Sequence, residues 1–534
     1  MPARRAPVIV LGLDSLDPGL ARVWADAGEL PNLAKLFAES ARCEVRNPTG
    51  LYVGALWPSF ATGLGADRHD FYCWSHINRR TYRREANPPR LGRFPTLWSR
   101  LSDAGRRVAV VDVPHFGVDG PVNGVQIAEW GAHDRHFGLQ SWPAEEAERI
   151  VATAGLHPIF GADPYSQREF SPDDFAFRSG IVRTADEERQ LLEGLVAGAR
   201  AKGRGLAALR RREDWDLFLA VFGESHSAGH QLWHLHDPSD PKFDQERQRA
   251  LGGDPLLRVY KAIDDAIGEI AAGMPGDGRL LVLLSLGFGP ISSGIHLLED
   301  VLTRLDRWYK GAAAKPSAAG GLRGVAEKLR RRVAAIPLPR QLRLRAGAAV
   351  DAMVRARARA RQLWFAEPNN SVFGGVRLNV AGREARGIVD PAETDALLDL
   401  LETDLKALVD PETGGRAVRA LIRADRHYRR SPENRMPDLF VEWERSAPFG
   451  AVWSPKIGRV APAHDAWRTG DHRETGLLLA RTAEAAAGEQ HPQIAVEDIA
   501  PTVAAMLGVD FPDADGRVIG WLARERVAVA AAAE

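Results

Sequence analysis

The chain contains little cysteine and no long apolar run. Its 534 residues include only Cys43 and Cys73, and neither lies in a C-x-x-C pattern. This count excludes a disulfide scaffold and suits a reducing compartment, although the two thiols could in principle pair. No apolar segment reaches the ~18 to 20 residues that are needed to span a bilayer. We therefore expect a cytoplasmic protein without a transmembrane segment.

Net charge is also absent. The 70 basic residues balance the 70 acidic ones, so the molecule as a whole has no field that would attract nucleic acid or an anionic membrane. Near the N-terminus the apolar run of PVIVLGL ends at Asp14, and no small-residue cleavage site follows it. This run is typical of a buried first strand rather than of a signal peptide.

Four short apolar runs are each followed by a polar residue. They end at Asp14, Asp112, Glu224 and Ser285, and segments with helical patterns separate them. Continuous apolar runs of this length are typical of parallel strands that are buried on both faces. Alternating strands and helices predict an α/β fold with a doubly wound, mostly parallel sheet flanked by helices. In such folds ligands bind beyond the carboxyl ends of the strands.

We expect one catalytic domain over residues 1–534, interrupted by two insertions. The first, 123–205, is polar and rich in turn formers, and is expected to cap the sheet. The second, 310–361, is rich in Ala and Arg, and its only acidic residues are Glu327 and Asp351. A solvated basic helix and a contact with an anionic surface both remain open for it. Nucleic acid is not an expected partner, because interleaved aromatic residues are missing there.

Histidines are concentrated in GESHSAGHQLWHLHD at 223–237. On a helix, His226 and His230 would lie on the same face, as two ligands of a divalent metal ion must. Solvated histidines, or histidines satisfied by backbone carbonyls, are the alternative. His234 and His236 are expected to pack or to form hydrogen bonds nearby.

A series of motifs in a fixed order extends over nearly the whole chain. The E-S-H-x-x-x-H segment above is one of them, and the others are GLDSLDPGL (12–20), WPSFATGLGADRHDFY (57–72), LSLGFGP (284–290), FGGVRLNVAGREARGIV (373–389), PDLFVEW (437–443), RTGDHRETGLLLA (468–480) and VEDIAPTVAAMLGV (496–509). The ordered set resembles the alkaline phosphatase superfamily, in particular its branch of type I phosphodiesterases and nucleotide pyrophosphatases.

The resemblance implies an alkaline phosphatase-like fold and hydrolysis of phosphate mono- or diesters. That family uses two close metal ions, commonly zinc, and a Thr or Ser nucleophile. Asp14 matches its first metal ligand. The D-x-x-x-H ligand pair falls on His226 and His230, and the late G-x-H ligand falls on His472. We therefore expect these four residues to hold a divalent metal.

The rest of the family pattern is lost in this chain. The D-H pair before G-F-G-P falls on Ser285 and Leu286, and the nucleophile position falls on Val53. Leucine cannot bind a metal, and valine has no nucleophilic atom, so the sequence assigns no covalent nucleophile. We expect one ion rather than two, with zinc as the expected metal. A metal ion can lower the pKa of bound water and so replace a protein nucleophile.

Four further charged residues are candidates for the site. Glu224 and Asp471 adjoin the expected ligands, and we interpret them as catalytic or ligand-orienting carboxylates. Arg468 and Arg473 flank His472 and could bind the oxyanion of a small anionic substrate, although surface salt bridges are the alternative.

The sequence thus favours a metal-dependent hydrolase of a phosphate ester, diester or related ester with a reduced site. Two alternatives remain open. The first is a catalytically silent family member that binds a ligand or acts as a scaffold. The second is a metal centre used for non-hydrolytic chemistry, because exchanging aspartate for histidine at position 226 makes the site richer in nitrogen.

Overall fold

The computed structural model describes residues 5–88, 92–133, 135–160, 184–292, 294–311, 340–369, 372–429, 431, 435–446, 449–462 and 468–523. Most of the basic segment 310–361 and the middle of 123–205 lie outside these residues, as does Trp467. Contacts divide the chain into two compact units. The first comprises Met1–His69, Pro89–Ile291 and Ala466–Glu534, and the second comprises Asp70–Pro88 and Ser292–Asp465.

Helices lie between the four strands that the sequence predicts. The strands are β1 (Val8–Leu13), β2 (Ala41–Arg46), β3 (Ser75–Ile77), β4 (Arg84–Ala86), β5 (Val108–Val111), β6 (Gly124–Ala128), β7 (Gln140–Trp142), β8 (Leu217–Phe222), β9 (Arg279–Leu284), β10 (Gly287–Pro290), β11 (Trp364–Glu367), β12 (Phe373–Leu378), β13 (Val418–Arg423), β14 (Leu439–Trp443), β15 (Val452–Ser454), β16 (Gly458–Val460), β17 (Gly470–Arg473), β18 (Thr475–Arg481) and β19 (Ile494–Ala495).

The helices are α1 (Pro18–Asp26), α2 (Pro31–Glu39), α3 (Tyr52–Thr62), α4 (Ala66–His69), α5 (Leu97–Asp103), α6 (Glu146–Ala154), α7 (Ala185–Arg212), α8 (Glu224–Leu232), α9 (Gln245–Ala250), α10 (Pro255–Ala271), α11 (Ile295–Tyr309), α12 (Arg340–Arg359), α13 (Thr394–Lys406) and α14 (Ile499–Met506). Within the described part of the chain, the helices lack the combination of length and apolar composition that a membrane crossing requires.

A nine-stranded sheet forms the first unit, in the order β19-β2-β18-β9-β1-β8-β5-β6-β7. Strands β9, β1, β8, β5 and β6 are parallel, whereas β18 runs antiparallel to both β9 and β2. Every residue of β1 and β8 is buried, as their continuous apolar composition requires. The predicted α/β fold with a mostly parallel, helix-flanked sheet is confirmed.

The segment 123–205 contributes β6 and β7 to this sheet, together with α6 and α7. The long helix α7 packs against α10. It begins with a capping box in which Thr184 and Glu187 exchange side-chain and backbone hydrogen bonds. The expected division of the chain into one domain with two insertions stays a prediction.

The second unit has its own core. An antiparallel sheet in the order β11-β12-β14-β13 carries buried residues such as Trp364, Val376 and Trp443. The apolar faces of α11 and α13 supply Leu298, Leu401 and other residues to the same core. The functional residues predicted from the sequence all lie in the first unit.

Candidate metal centre

The centre lies where the middle strands of the large sheet end. Strand β1 lies between β8 and β9, and Leu13 pairs with Phe222 on one side and with Leu284 on the other. The residues that follow these three strands are therefore neighbours. The backbone N–H of Asp14 bonds the carbonyl of Phe222 at 2.8 Å, and the Ser285 hydroxyl donates to Asp14 Oδ1 at 3.1 Å.

Three imidazoles meet beside this edge. His226 and His230 lie one turn apart on α8, a helix whose nine residues are all buried. His472 lies on β17, which pairs antiparallel with β10 so that His472 faces Phe288. One nitrogen from each ring lies within 4.8 Å of the other two. The Nε2 atoms of His230 and His472 are 3.0 Å apart. Tetrahedral zinc ligands are spaced by about 3.3 Å, given bonds of about 2.0 to 2.1 Å.

Each of the three rings has a partner at its Nδ1 atom. His230 Nδ1 lies 2.8 Å from the carbonyl of Gly470. The Nδ1 atoms of His226 and His472 lie 3.3 and 3.2 Å from the hydroxyl of Ser15. A proton held at Nδ1 by such a partner leaves the Nε2 lone pair for a metal. The three rings thus offer a matched set of donors.

Burial favours the neutral form of two of these rings. It lowers the pKa of His230 well below the ordinary value, and the positive charge of Arg468 adds to this effect. Burial, His226 and Arg468 likewise lower the pKa of His472. Because only a neutral imidazole can bind a metal, these two rings are ready to act as ligands near neutral pH.

Asp14 is a buried carboxylate with many partners. Its Oδ1 also accepts from Trp57 at 3.2 Å and from Ser15 at 3.3 Å. Its Oδ2 lies 3.3 Å from His226 Nδ1. Burial alone would raise the pKa of Asp14, but the contacts with His226 and other histidines outweigh it and lower that pKa below its usual range. Asp14 therefore carries a negative charge that orients His226.

Glu224 contacts a different set of residues. It is fully buried, and its Oε1 lies 3.4 Å from His157 Nε2 and 3.7 Å from Lys202 Nζ. Although burial opposes its charge, Lys202 and His157 lower the pKa of Glu224. Asp471 is buried as well, and its Oδ1 accepts the backbone N–H of His472 at 2.9 Å. A catalytic role for Glu224 or Asp471 stays a prediction.

The two arginines differ in their surroundings. Arg468 lies close enough to His230 and His472 to lower the pKa of both rings. Arg473 instead directs its guanidinium to backbone carbonyls, those of His472 at 3.1 Å and Pro290 at 2.9 Å. The charge of Arg468 therefore acts on two of the imidazoles.

Other polar residues of the motifs and of the histidine-rich segment have partners of their own. The hydroxyl of Ser59 lies 3.0 Å from His69 Nε2, and Ser285 donates to Asp14 as described above. His234 Nε2 lies 3.3 Å from a carboxylate oxygen of Glu188, and His236 Nδ1 lies 2.6 Å from Asp254. Val53 lies in the first turn of α3.

Sequence reasoning missed two residues of this centre. Ser15 follows Asp14 directly and has a backbone φ of 56°, an uncommon value for a residue other than glycine. His133 lies after β6, and its ring stacks on that of His226 with centroids 3.7 Å apart. The short sequence GVQIA of β6 lacks the continuous apolar run of the predicted strands, so it gave no usable signal for His133. Ser15 had none beyond its position next to Asp14.

Three comparisons place the chain among known proteins. A family model described as type I phosphodiesterase / nucleotide pyrophosphatase matches residues 8–473. No curated protein gives a match. A crystal structure of phosphonoacetate hydrolase from Sinorhizobium meliloti 1021 in complex with phosphonoformate is similar, with 14% sequence identity and a TM-score of 0.47. That match covers 95% of this chain and 97% of the other.

The structural likeness is too weak to carry an argument about function, whereas the family model spans most of the chain. Its match supports a phosphoester hydrolase of the phosphodiesterase/pyrophosphatase type. The chain belongs to the type I phosphodiesterase/nucleotide pyrophosphatase family.

Proposed function

We propose that this protein hydrolyses a phosphate mono- or diester, or a related ester, at a centre that holds one divalent metal ion. The observation that carries the proposal is the convergence of His226, His230 and His472, whose nitrogens lie within 4.8 Å of one another. Zinc is the proposed ion, because three neutral imidazoles with an open position are a common zinc donor set.

The residues present fit such an ion. All three rings are buried, and their Nδ1 atoms have protein partners, so the Nε2 atoms are the natural donors. When bound, the ion would act as a Lewis acid toward a phosphoryl oxygen and toward a water molecule. Asp14 would supply negative charge next to His226 and so strengthen that ligand.

Arg468 is the proposed contact for the substrate's anionic group. Its charge already acts on His230 and His472, which places a cation beside the centre. A guanidinium at that place would attract a phosphate and would hold its nonbridging oxygens by charge-assisted hydrogen bonds. Arg473 would stiffen the β10–β17 pair instead, since it bonds the carbonyls of Pro290 and His472.

We propose that water, not a side chain, attacks the ester. Val53 stands at the position where the family has its nucleophile, and it has no reactive atom. Val53→Ala should therefore leave turnover within about twofold of the parent protein, whereas His472→Ala should abolish it. Loss of turnover in Val53→Ala, in a variant that still folds, would contradict this part of the proposal.

The test begins with the metal. Protein purified without chelator should contain about one equivalent of a divalent metal by elemental analysis, and His226→Ala and His230→Ala should contain far less. His236→Ala serves as the matched control from the same segment. The holoprotein is then assayed with an aryl phosphodiester, an aryl phosphomonoester and an aryl sulfate. Near-zero metal in the parent protein would end the proposal.

Catalytic silence is the second candidate function, and the losses at Val53 and Leu286 favour it. A silent protein would bind metal and an anionic ligand without converting it. Metal at one equivalent with no turnover of the three esters would support this candidate over hydrolysis.

A further inference from the structure

Among the described residues, His133 is a histidine that lies beside the proposed centre without belonging to its three-ring set. It follows β6 in a loop, 130–138, of which all residues except 134 are described. Its side chain is only 8% exposed. The loop comes from a different strand end than any of the other ligands, so its position must be fixed by contacts of its own.

A carboxylate from the neighbouring strand holds the beginning of this loop. Asp112, directly after β5, accepts the backbone N–H groups of Trp130 and Gly131, both at 2.8 Å. The ammonium of Lys202 bonds the carbonyl of Gly131 at 3.3 Å and lies 2.9 Å from Asp112. These groups are buried, so the bonds hold the loop in one place.

A second carboxylate holds the end of the loop. Glu129, directly after β6, accepts the N–H groups of His136, Phe137 and Gly138 at 2.5, 2.8 and 2.5 Å. Both Asp112 and Glu129 have positive φ, 58° and 57°. Such backbone strain persists only where the surrounding structure enforces it, and it clusters at functional sites.

This loop directs His133 to Asp14 and His226. Its ring stacks on that of His226 at an interplanar angle of 27°, and its Nδ1 lies 3.6 Å from Asp14 Oδ2. One donor atom each from Asp14, His133 and His226 lies within 4.8 Å of the other two. Gly223 makes room for this ring, since a Cβ there would lie 3.1 Å from His133 Nδ1.

We propose that His133 is a cation ligand, contributed by the loop after β6 to the group formed by Asp14, His133 and His226. This inference rests on the proposed function, because His226 also belongs to the three-histidine set. One carboxylate and two imidazoles make a donor set that suits first-row divalent metals. The donor group then extends from the three-histidine set across His226 to His133 and Asp14.

The experiment compares His133→Phe with the parent holoprotein. Phenylalanine keeps an aromatic ring that can stack on His226 but removes both nitrogens. The readouts are equivalents of Co²⁺ bound, affinity for Zn²⁺ in competition with a chelator, and the visible spectrum of the Co²⁺ protein. His236→Phe is the matched control, because His236 bonds Asp254 and lies outside both donor groups.

We expect His133→Phe to bind Zn²⁺ at least about 10-fold more weakly than the parent holoprotein and to show an altered Co²⁺ spectrum. His236→Phe should match the parent protein. Gly223→Ala, which retains all histidines but crowds His133, should weaken binding to a lesser extent. Circular dichroism confirms that each variant folds.

Parent-like stoichiometry, affinity and spectrum in folded His133→Phe would overturn the inference and leave the proposed function standing. A parent protein that binds no metal would overturn both.

Discussion

Ser15 contacts three residues of the candidate centre through one hydroxyl. That hydroxyl lies within 3.3 Å of Asp14 and of the Nδ1 atoms of His226 and His472. The hydroxyl can donate a hydrogen bond to the carboxylate while its oxygen accepts a hydrogen bond from the Nδ1–H of either ring. The backbone N–H of Ser15 also donates to the Ser285 hydroxyl at 3.0 Å, which anchors the residue in its strained conformation.

Replacing Ser15 with glycine removes the hydroxyl and adds no backbone strain, so the variant isolates the role of the hydroxyl. Glycine adopts a φ of 56° without cost, so Ser15→Gly should preserve the free energy of unfolding of the apoprotein. Losing the acceptor for two Nδ1 protons should lower metal affinity about 10- to 100-fold. Chelator competition measures the affinity, and urea unfolding measures the stability. Unchanged affinity would show that the rings do not depend on this hydroxyl.

His69 should make the protein less stable in acid. Burial lowers the pKa of His69 to about 3 from an ordinary value of 6.5, so the folded state holds it neutral. A lowered pKa contributes stability above pH 6.5 that is lost as the pH falls toward 3, by at most about 1.4 kcal/mol per pH unit.

His69→Gln should therefore show a shallower decline in the free energy of unfolding between pH 7 and pH 5. Urea titrations at several pH values measure it. The same change at exposed His427 should give a curve parallel to that of the parent protein. Parallel curves for both variants would rule out a contribution from His69.

Residue type and order in the sequence indicated Asp14, His226, His230 and His472, and the structure brings all four together. These residues directly follow predicted strands or match motifs, so their place at the sheet edge follows from topology. His133 could not be found in this way. Its position depends on a loop whose course is set by Asp112 and Glu129 in left-handed conformations, and a hydrophobic pattern carries no information about such conformations.

At the scale of elements, helix α7 contributes a buried lysine that contacts two carboxylates near the centre. Lys202 on this helix lies 2.9 Å from Asp112, bonds the carbonyl of Val221 at 2.9 Å and lies 3.7 Å from Glu224. Burial alone would lower the pKa of Lys202, but the two carboxylates outweigh it and raise that pKa. Helix α7 also packs closely against His157 at Gly198, where any Cβ would overlap the imidazole ring.

Lys202→Met should cost about 3 to 5 kcal/mol of unfolding free energy, because it leaves two buried carboxylates without their cation. Lys261→Met is the control. Lys261 pairs with Glu29 where both side chains are more than 40% exposed, so its loss should cost less than about 1 kcal/mol. Guanidinium unfolding compares the two. Adding Glu224→Gln to Lys202→Met should recover part of the loss, and equal losses in the two lysine variants would contradict this account.

Some strands of the large sheet could be predicted from the sequence, and others could not. Strands β1, β5, β8 and β9 were predicted from continuous apolar runs, because a strand buried on both faces needs them. Strand β6 is interrupted by the polar Gln126, and β7 has three residues of which none is buried, so their sequences lack that pattern. The polar composition of 123–205 therefore hid its contribution to the sheet.

At the scale of the whole molecule, a bound ion should stabilise the first unit. A ligand that binds only the folded state adds about 2.7 kcal/mol at 100 times its dissociation constant. We expect EDTA to lower the melting temperature of the holoprotein and added Zn²⁺ to restore it. His230→Ala should melt at the same temperature with and without EDTA. A chelator effect that persists in that variant would place the responsible ion elsewhere.

The pairing of β17 with β10 has a consequence for biosynthesis. His472 follows His230 by 242 residues, so it is synthesised well after the other two imidazoles and then joins them through the β10–β17 pair. A ribosome-bound chain that ends before His472 contains His226 and His230 but lacks the third imidazole of the group. Tight metal loading should therefore follow the synthesis of β17, and a chain that stops before this strand should bind the ion more weakly.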